Sequence, residues 1–243
     1  GNCGIVSTLG NPQKLGTGCY SFDQSVSGKV EAGSASDWQF LHNTGAKWTI
    51  ATWFKRPTAF NGSSISGDIT WLCETTDGND SGIGIKYDNR QTPNHQFQCE
   101  IINESNATVA VLQINDFYPD DDNWHHIAVT FDQTIANTNL IAYLDGVQKG
   151  TANKSATPSD VDSGDTLRIG GGVDSHARYG NWTLDDMAIY KRVLTTTEIE
   201  KLYNNNSAGN LTKDAQATTN TSSSGTTITN SSFTVANNSN RIL

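Results

Sequence analysis

Apolar and polar residues alternate with a period of two along most of the chain, and clusters of Gly, Asn and Asp separate the alternating runs. This pattern is typical of an antiparallel sandwich of β-strands. In residues 124–131 the alternation places Ile127 and Phe131 on one face of a strand and Trp124 on the other. A strand with bulk on both faces belongs in a sheet that is covered on both sides, or lines a concave cleft. The predicted strands are 18–24, 28–32, 46–56, 68–75, 82–88, 95–103, 107–114, 123–132, 139–145, 165–170 and 182–191.

Two short motifs predict where the chain turns and where it forms a helix. The pair Asp145-Gly146 stands between two apolar runs, which is a strong signal for a two-residue hairpin turn. Thr195 and Glu198 have the spacing of a capping box, in which each side chain bonds the backbone amide of the other residue. A short apolar stripe follows and ends at Tyr203, so the pattern predicts a single short helix there.

The composition changes after Tyr203, which suggests a domain boundary. Residues 204–231 are rich in Asn, Ser, Thr and Gly and contain almost no bulky apolar side chain, so we interpret them as a linker. Residues 232–243 hold a further β-like run and are interpreted as a tail or the start of another β element. Residues 1–203 then form one β domain. The orphan run indicates that the chain is part of something longer, or that the tail pairs with another molecule.

Charge and hydropathy exclude two classes of partner. The 243 residues include 16 Lys and Arg against 25 Asp and Glu, a formal net charge of −9. No basic surface is therefore expected that could neutralise a nucleic-acid backbone. The apolar runs are short, and none approaches the ~20 residues of a transmembrane helix. The sequence thus predicts neither a nucleic-acid partner nor a membrane span.

Sites of the form Asn-x-Ser/Thr are more frequent than composition predicts. Chance would give about five such sites from the Asn, Ser and Thr content, and the chain has eleven, one of them at Asn237 in the C-terminal tail. One interpretation is compositional bias, and the other is a secreted chain that carries surface glycans. The other candidate glycosylation sites are Asn61, Asn79, Asn103, Asn106, Asn153, Asn181, Asn205, Asn210, Asn220 and Asn230.

The four cysteines fit neither a zinc site nor a redox motif, because no Cys-x-x-Cys pair is present. Cys3 and Cys19 flank a Gly-rich segment ahead of the first strong strand, which is a common setting for a disulfide that pins a chain end. We predict a Cys3–Cys19 bridge. Cys73 and Cys99 each lie on an alternating apolar face and should point into a core, either paired or as two buried thiols.

The order of segments from Tyr20 to Tyr203 resembles the laminin G-like branch of the concanavalin A-like lectin/glucanase superfamily. The matching motifs are WHHIAVTFD at 124–132, YLDG at 143–146 and LDDMAIY at 184–190, which runs on into the helix. The resemblance implies an all-β fold: an antiparallel jelly-roll sandwich of two sheets, one of them concave, with one short C-terminal helix and, here, an extended polar tail. One departure is Trp182, since the family usually has a small residue there.

The resemblance also implies a calcium site. Related jelly rolls often hold calcium where the last strand meets the start of the domain, and the matching positions are Asp185, Asp23 and Ser25. Calcium takes six to eight oxygen ligands, and Asp185 would supply the side-chain carboxylate. We expect calcium as a possible structural cofactor. The alternative for Asp185 is capping or salt-bridging at a strand end.

Catalytic chemistry of the superfamily's hydrolases is not visible. Retaining glycosidases need two carboxyl groups about 5–5.5 Å apart, and none of the six glutamates has an Asp two residues on. Glu74, Glu100 and Glu104 are expected at solvated strand ends. His126, beside a Trp in the scaffold motif, is interpreted as a framework residue although it could be drawn as a base with Tyr143 or Arg168. We therefore predict no enzyme activity and no catalytic residue.

Sugar recognition uses an aromatic ring that stacks on a pyranose and polar side chains that bond its hydroxyl groups. The segment 174–182 combines two aromatic residues with Asp, His, Arg and Asn and has no apolar period. A solvated loop with Trp182 under the sheet is the alternative, and the other five tryptophans are expected in the core. The candidate ligand-binding residues are Asp174, His176, Arg178, Tyr179, Asn181 and Trp182.

The sequence is best explained by a non-catalytic recognition or adhesion module that binds a glycan or a glycosylated partner. It would be extracellular, on a cell surface or on a virion. The alternative is a structural subunit or domain of a larger surface assembly, for example a homo-oligomer joined through the C-terminal tail. A polysaccharide-active enzyme is the third hypothesis.

Overall fold

The computed structural model describes residues 4–5, 14, 19–22, 28–56, 69–76, 80–88, 96–119, 121–158, 160, 165–172, 179–180, 182–204 and 229–230. Its strands are β1 Gly4–Ile5, β2 Tyr20–Ser21, β3 Val30–Ala32, β4 Lys47–Lys55, β5 Ile69–Glu74, β6 Gly82–Asp88, β7 Gln96–Ile102, β8 Thr108–Ile114, β9 Trp124–Asp132, β10 Leu140–Leu144, β11 Val147–Ala152, β12 Leu167–Ile169, β13 Thr183–Tyr190 and β14 Thr229–Asn230. Its helices are α1 Ala35–Trp38 and α2 Thr196–Asn204, and a 3-10 turn Gln39–Leu41 follows α1.

The strands form two seven-stranded sheets. Sheet I has the order β1-β2-β13-β4-β9-β10-β11, and sheet II has the order β14-β3-β12-β5-β6-β7-β8. Neighbouring strands are antiparallel, except that β14 lies parallel to β3. The predicted fold class, an all-β antiparallel jelly-roll sandwich with a short C-terminal helix, is confirmed.

The core lies between the sheets, and each sheet contributes one face. In sheet I, Ile50, Val129 and Ala142 are direct neighbours across three strands and belong to the same buried cluster. In sheet II, Ile85 stands between Cys73 and Cys99 in the same way. The period-two alternation of the sequence therefore sorts side chains between this core and the outer face of each sheet.

A second, smaller apolar cluster lies on the outer face of sheet I, where α2 covers it. Its buried members include Ala128 and Tyr143 from the sheet and Ile199 from the helix. The predicted capping box begins this helix: the Thr195 amide donates to Glu198 Oε2 at 2.8 Å, and the Glu198 amide donates to Thr195 Oγ1 at 3.3 Å. The helix is therefore anchored at its start and packs by its apolar stripe.

Several sequence predictions are corrected at the level of elements. Within the strand predicted over 18–24, the described residues form β2 at Tyr20–Ser21. The described part of the chain has two α-helices where one was predicted, because Ala35–Trp38 is also helical. The predicted hairpin turn is confirmed, since Asp145 and Gly146 have φ of 53° and 76°. Its second strand, β11, is missing from the predicted strands because apolar and polar residues alternate only weakly over its six residues, most of which are exposed.

The cysteines differ from their predicted roles in part. Cys73 and Cys99 are buried free thiols, and Cys19 is also buried. Cys73 and Cys99 stand two strands apart, a separation of about 10 Å between Cα atoms, which is beyond the roughly 7 Å that a disulfide spans. They are therefore two separate core thiols. Cys3 lies outside the described residues, and the Cys3–Cys19 bridge stays a prediction that the structure does not show.

Candidate functional site: the polar face of sheet II

The outer face of sheet II carries polar and charged side chains in two rows that run across the strands. The first row, in register order, is Trp71, Lys86, Gln98 and Gln113. The second row is Glu31, Arg168, Glu74, Gly84, Glu100 and Val111. These positions alternate with core residues along the strands, and in β5 a bulge puts the two core residues Leu72 and Cys73 between Trp71 and Glu74, so all positions of the rows share the face that points away from the core. We call these two rows the polar face.

The indole of Trp71 forms the floor of the polar face. It lies over Gly84, where a Cβ atom would come within 2.4 Å of Trp71 Cζ3. Only glycine leaves room for a ring that lies this close to the sheet. The ring is 5% exposed, and its Nε1 has no hydrogen-bond partner among the described residues. The indole is thus held flat against β6 while its polar edge stays unsatisfied.

A network of hydrogen bonds and ionic contacts covers the middle of the face. Lys86 Nζ donates to Glu100 Oε1 at 2.8 Å and lies 4.7 Å from the centre of the Trp71 ring. Gln98 Nε2 donates to Glu100 Oε2 at 2.7 Å, and Gln113 Nε2 donates to Gln98 Oε1 at 3.3 Å. Burial decreases along this network: Lys86 is 7% exposed, whereas Gln113 is exposed to solvent. The network therefore opens to solvent at its β7–β8 end.

The opposite end of the face is built around Arg168. Its guanidinium contacts the Asp165 carboxylate at 3.1 Å and the Glu31 carboxylate at 3.5 Å. Glu74 is directly opposite Arg168 in the register and is fully buried. Burial lowers the pKa of Arg168, but the hydrogen bond that the guanidinium donates to Asp165 and the charges of Asp165, Glu74 and Glu31 outweigh it, so the pKa is raised. The arginine thus stays charged within a ring of carboxyl groups.

This arrangement combines a fixed aromatic floor with carboxylate and amide groups that are held by one another. Carboxylate oxygens accept hydrogen bonds from hydroxyl groups, and side-chain amides both donate and accept. The prediction that Glu74 and Glu100 are solvated residues at strand ends is wrong, because Glu74 is buried and Glu100 is held by Lys86 and Gln98. The polar face is suited to bind a hydroxyl-rich ligand.

The predicted ligand-binding segment 174–182 is described only in part. Asp174, His176, Arg178 and Asn181 lie outside the described residues. Tyr179 pairs with Gly171 in an isolated bridge and is 8% exposed. This bridge is close to the polar face, because a Cβ atom at neighbouring Gly172 would lie 2.8 Å from Trp71 Nε1 and 3.1 Å from Glu74 Oε1. Tyr179 therefore lies near the polar face.

Trp182 is corrected from a ligand-binding residue to a core residue. It is 2% exposed and packs edge-on against Phe54 and Tyr118, with ring centres 6.5 and 5.9 Å away. Its indole takes the space beside Gly180, where a Cβ atom would come within 1.7 Å of the ring nitrogen. Gly180 thus leaves room for the indole of Trp182, which stands where a small residue was expected.

The predicted calcium residues are only partly described, because Asp23 and Ser25 lie outside the described residues. The Asp185 carboxylate accepts hydrogen bonds from the amides of Lys14 at 3.0 Å and of Asp186 at 2.8 Å. Within the described ranges no group of three acidic, His or Cys residues could hold a metal ion. Calcium takes six to eight oxygens, and the calcium site at Asp185 stays a prediction because two of its three predicted residues are not described. The observed contacts match the alternative role, a polar bracket at a strand end.

His126 lies on the other sheet from Arg168, so the two cannot meet in one cleft. Its ring packs edge-on against Trp53 at 5.2 Å and lies 6.4 Å from Tyr203 of α2. Burial lowers the pKa of His126 to about 4. The neighbouring His125 differs, because its hydrogen bond to Asp145 raises its pKa. His126 therefore stays neutral in a packed framework, as expected from the sequence.

Four of the eleven candidate glycosylation sites lie in the described residues. Asn106 and Asn153 are exposed. Asn103 Oδ1 accepts hydrogen bonds from the amides of Ser105 and Ala107, and its Nδ2 donates to Thr157 O at 3.0 Å. Asn103 thus has a structural role in its turn. Asn230 belongs to β14, and the sites at Asn61, Asn79, Asn181, Asn205, Asn210, Asn220 and Asn237 lie outside the described residues.

Sequence reasoning missed the polar face, although one signal for it was present. In β7, Gln96, Gln98 and Glu100 alternate with apolar residues, and none of the three is a typical surface choice for a β-strand, where β-branched residues are preferred. The phase of Lys86 in β6 is the same. Polar side chains on a single strand do not show whether the face is functional or merely solvated. The register of the neighbouring strands is needed to show that their polar side chains share one face.

Comparison with known proteins agrees with this architecture. A laminin G-like family profile, described as the concanavalin A-like lectin/glucanases superfamily, matches residues 26–200. The fold is similar to the Ruminococcus gnavus IT-sialidase CBM40, with a TM-score of 0.52 and 15% identity over 72% of this chain and 96% of that chain. That module is also known bound to alpha2,3 sialyllactose, with a TM-score of 0.50, 15% identity and the same coverage.

The fold is also similar to the binding domain of botulinum neurotoxin serotype G. The TM-score is 0.50 at 15% identity, over 82% of this chain and 46% of that chain. This chain thus corresponds to about half of that domain. None of the helices in the described ranges has the length and apolar character needed to cross a bilayer.

Proposed function

Because this chain belongs to the laminin G-like branch of the concanavalin A-like lectin/glucanases superfamily, we propose that it is a non-catalytic module that binds a glycan through the polar face of sheet II. The observation that carries the proposal is the pair of polar rows on the outer side of the sheet. A chain of hydrogen bonds joins the rows, because Gln113 donates to Gln98 and Gln98 donates to Glu100. Neighbours of similar fold include a carbohydrate-binding module and a toxin binding domain, which supports a binding role.

The proposed contacts use the side chains that solvent reaches. Glu100 is 24% exposed and Gln113 is exposed, so a sugar can approach the β7–β8 end of the face. There the Glu100 carboxylate and the Gln113 amide accept and donate hydrogen bonds to hydroxyl groups. Gln98 and Lys86 hold Glu100 in place before the ligand arrives, which reduces the entropy that binding would otherwise cost.

A recognition role without catalysis is supported by how the carboxyl groups of the face are used. Glu100 accepts hydrogen bonds from Lys86 and Gln98. Gly84 of β6 lies between Glu100 of β7 and Glu74 of β5 in the register of the sheet. Their Cα atoms are therefore about 10 Å apart, with the Trp71 ring over the glycine between them. This occupied gap differs from the open space between the two carboxyl groups of a glycosidase.

A glycan array followed by calorimetry tests the proposal. The wild-type chain is compared with the double variant Glu100→Ala, Gln113→Ala and with a control, Glu104→Ala, Gln148→Ala, which removes the same residue types from exposed positions elsewhere. We expect the double variant to lose at least tenfold in affinity, and the control to bind as wild type. Equal binding by both variants contradicts the proposal.

The same assay includes an arm with EDTA and an Asp185→Asn variant. We expect neither to change glycan binding, since Asp185 bonds backbone amides on the other sheet from the polar face. Loss of binding in both arms would move the site to a calcium centre near Asp185 and overturn the proposal. Release of reducing sugar from a bound polysaccharide would instead show that the chain is an enzyme.

A structural role in a larger assembly is the second candidate. The observation that favours it is the parallel pairing of β14 with β3, which places a strand from the C-terminal part of the chain at the margin of sheet II. The β3 edge would accept β14 of another copy in the same way, because a strand edge offers backbone groups for pairing. Light scattering on the full chain and on a chain ending at Asn204 tests this role, which requires an oligomer that only the full chain forms.

An extracellular position, on a cell surface or a virion, fits either role. The exposed sites Asn106 and Asn153 support glycosylation there. Mass spectrometry of native material would show added hexose mass at these asparagines. Unmodified asparagine at all eleven sites would favour compositional bias as the origin of the excess.

A further inference from the structure

We infer that the polar face selects uncharged glycans over glycans that carry a carboxylate. This inference rests on the proposed function and names the class of ligand for the same site. It comes from the balance of charges on and beside the two polar rows, together with the partner that each cation already has.

Three cationic side chains lie on or beside the face, and each is already paired with a carboxylate. Lys86 contacts Glu100 at 2.8 Å, and Arg168 contacts Asp165 at 3.1 Å. Lys29 contacts Glu31 at 3.2 Å. An anionic ligand would have to compete with these carboxylates for each cation. A ligand carboxylate would only replace the ionic contact that each protein carboxylate already makes. These three ion pairs therefore give an anionic ligand no net electrostatic gain.

Carboxyl groups outnumber the cations among the described residues of this region. The five acidic residues are Glu31, Glu74, Asp88, Glu100 and Asp165, against the three cations. Glu74 and Asp88 are 0% and 1% exposed, whereas Glu31, Glu100 and Asp165 are the carboxylates that solvent reaches. A ligand carboxylate that approaches any of the three cations would therefore come close to a protein carboxylate, and like charges in close proximity disfavour binding.

The same groups suit a neutral sugar. The partly exposed oxygens of Glu100 accept hydrogen bonds from hydroxyl groups without competing for a proton or a cation. The exposed Gln113 amide adds both a donor and an acceptor. Lys86 lies over the uncharged ring of Trp71, and Glu100 neutralises the charge of this lysine. Hydroxyl-rich ligands therefore gain contacts that carboxylated ligands lose to repulsion.

Matched glycan pairs test this inference. The probes are lactose against alpha2,3 sialyllactose, and cellotetraose against its C6-oxidised glucuronate counterpart, titrated into the full chain by calorimetry. In any pair that binds, we expect the neutral member to bind at least about tenfold more tightly, which is about 1.4 kcal/mol. Because no net charge is neutralised, its affinity should change less than about twofold between 50 and 500 mM NaCl.

The variant Glu100→Gln tests the cause. It keeps hydrogen-bonding capacity and frees Lys86 from its ionic partner, so the preference for the neutral member should fall by at least about threefold. The control Glu104→Gln changes the net charge equally at an exposed turn residue and should leave the preference unchanged. Equal preferences in both variants would show that the charges of the face do not set selectivity.

The two proposals fail in different ways. If the carboxylated member binds more tightly and the double variant Glu100→Ala, Gln113→Ala weakens that binding, the polar face is the site but the inferred selectivity is wrong. If the double variant binds every probe as the wild type does, the proposed site is itself wrong.

Discussion

The two adjacent histidines of β9 show how burial and hydrogen bonding separate the pKa values of neighbouring residues. His126 faces Trp53 under α2, and His125 bonds Asp145 and Asp121. Burial lowers the pKa of His126 to about 4, and the hydrogen bond to Asp145 raises that of His125. The unfolded chain has both near 6.5. The two residues therefore make opposite contributions to the pH dependence of stability.

For His126 the unfolded state binds the extra proton as the pH falls below 6.5, so stability decreases on acidification until the pH reaches about 4. We predict that protonation of His126 in the unfolded state lowers the free energy of unfolding of the wild type by about 2 kcal/mol between pH 7.5 and pH 5. A His126→Phe variant keeps the aromatic packing and should lose about that much less over the same interval, as urea unfolding can measure. An identical loss in both proteins would contradict the assignment.

His125 serves as the control of opposite sign. Its contribution is fully present below pH 6.5 and disappears as the pH rises through its raised pKa. A His125→Gln variant should therefore be less stable than the wild type at pH 6 and closer to it at pH 9. A deficit that grows with pH would contradict the raised pKa.

Gly84 is the residue on which the floor of the polar face depends. A methyl group there would come within 2.4 Å of Trp71 Cζ3, and the rigid indole cannot turn aside by rotating a flexible end. We predict that Gly84→Ala lowers the free energy of unfolding by about 1–3 kcal/mol, the usual cost of overpacking. In a Trp71→Leu background the same change should cost much less. Equal costs in both backgrounds, measured by urea unfolding, would show that the two residues are not coupled.

At the scale of elements, the anchor of α2 is a local motif with a measurable contribution. Thr195 and Glu198 exchange hydrogen bonds at the start of the helix, and Arg192 pairs with Glu198 at 2.7 Å. The hydrogen bond with Arg192 is the largest cause that lowers the pKa of Glu198, to about 2. The carboxylate therefore stays charged at every pH at which the fold is tested here.

We predict that Thr195→Ala lowers the free energy of unfolding by about 1 kcal/mol, because the first-turn amide loses its acceptor. The melting temperature should fall by roughly 2–4 °C. The control is Thr197→Ala, an exposed position within the same helix, which should change stability by a few tenths of a kcal/mol at most. Similar losses in the two variants, followed by calorimetry, would argue against the cap.

Elements with a strong local pattern were predictable from the sequence. β6 was predicted at its observed bounds, and the Asp145-Gly146 turn and the Thr195 cap follow from two to four residues each. Ala35–Trp38 was missed because four residues show no helical period. The polar face was missed because its rows join residues from six strands, and the register that aligns them depends on tertiary pairing.

Single residues were hardest to predict where a neighbour distant in sequence decides their role. Trp182 has the composition of a ligand-binding loop around it, yet Phe54 and Tyr118 enclose it in the core. Trp71 was expected in the core and is instead buried on the outer face, over Gly84. In each case the side chain alone was compatible with both positions.

At the scale of the whole molecule, the domain boundary near residue 203 stays a prediction. The sandwich and α2 enclose both apolar clusters between residues 22 and 202, so the residues that stabilise the fold lie before residue 204. We predict that a chain ending at Asn204 melts within about 2–4 °C of the full chain, a difference of at most about 1 kcal/mol. A larger loss would show that the tail, including β14, is part of the folding unit.

The central claim is that a glycan binds on the polar face of sheet II, and the indole resonances of an ¹⁵N-labelled sample test it most directly. Trp71 lies in the face, whereas the Trp48 indole donates to Leu41 O at 2.8 Å between the sheets and serves as an internal reference. A Trp71→Phe variant assigns the resonance. During titration with a neutral glycan that binds, we predict a saturable shift of the Trp71 Nε1–H signal with the Trp48 signal unmoved. A saturable shift of the Trp53 signal on sheet I, with Trp71 unchanged, would contradict the account.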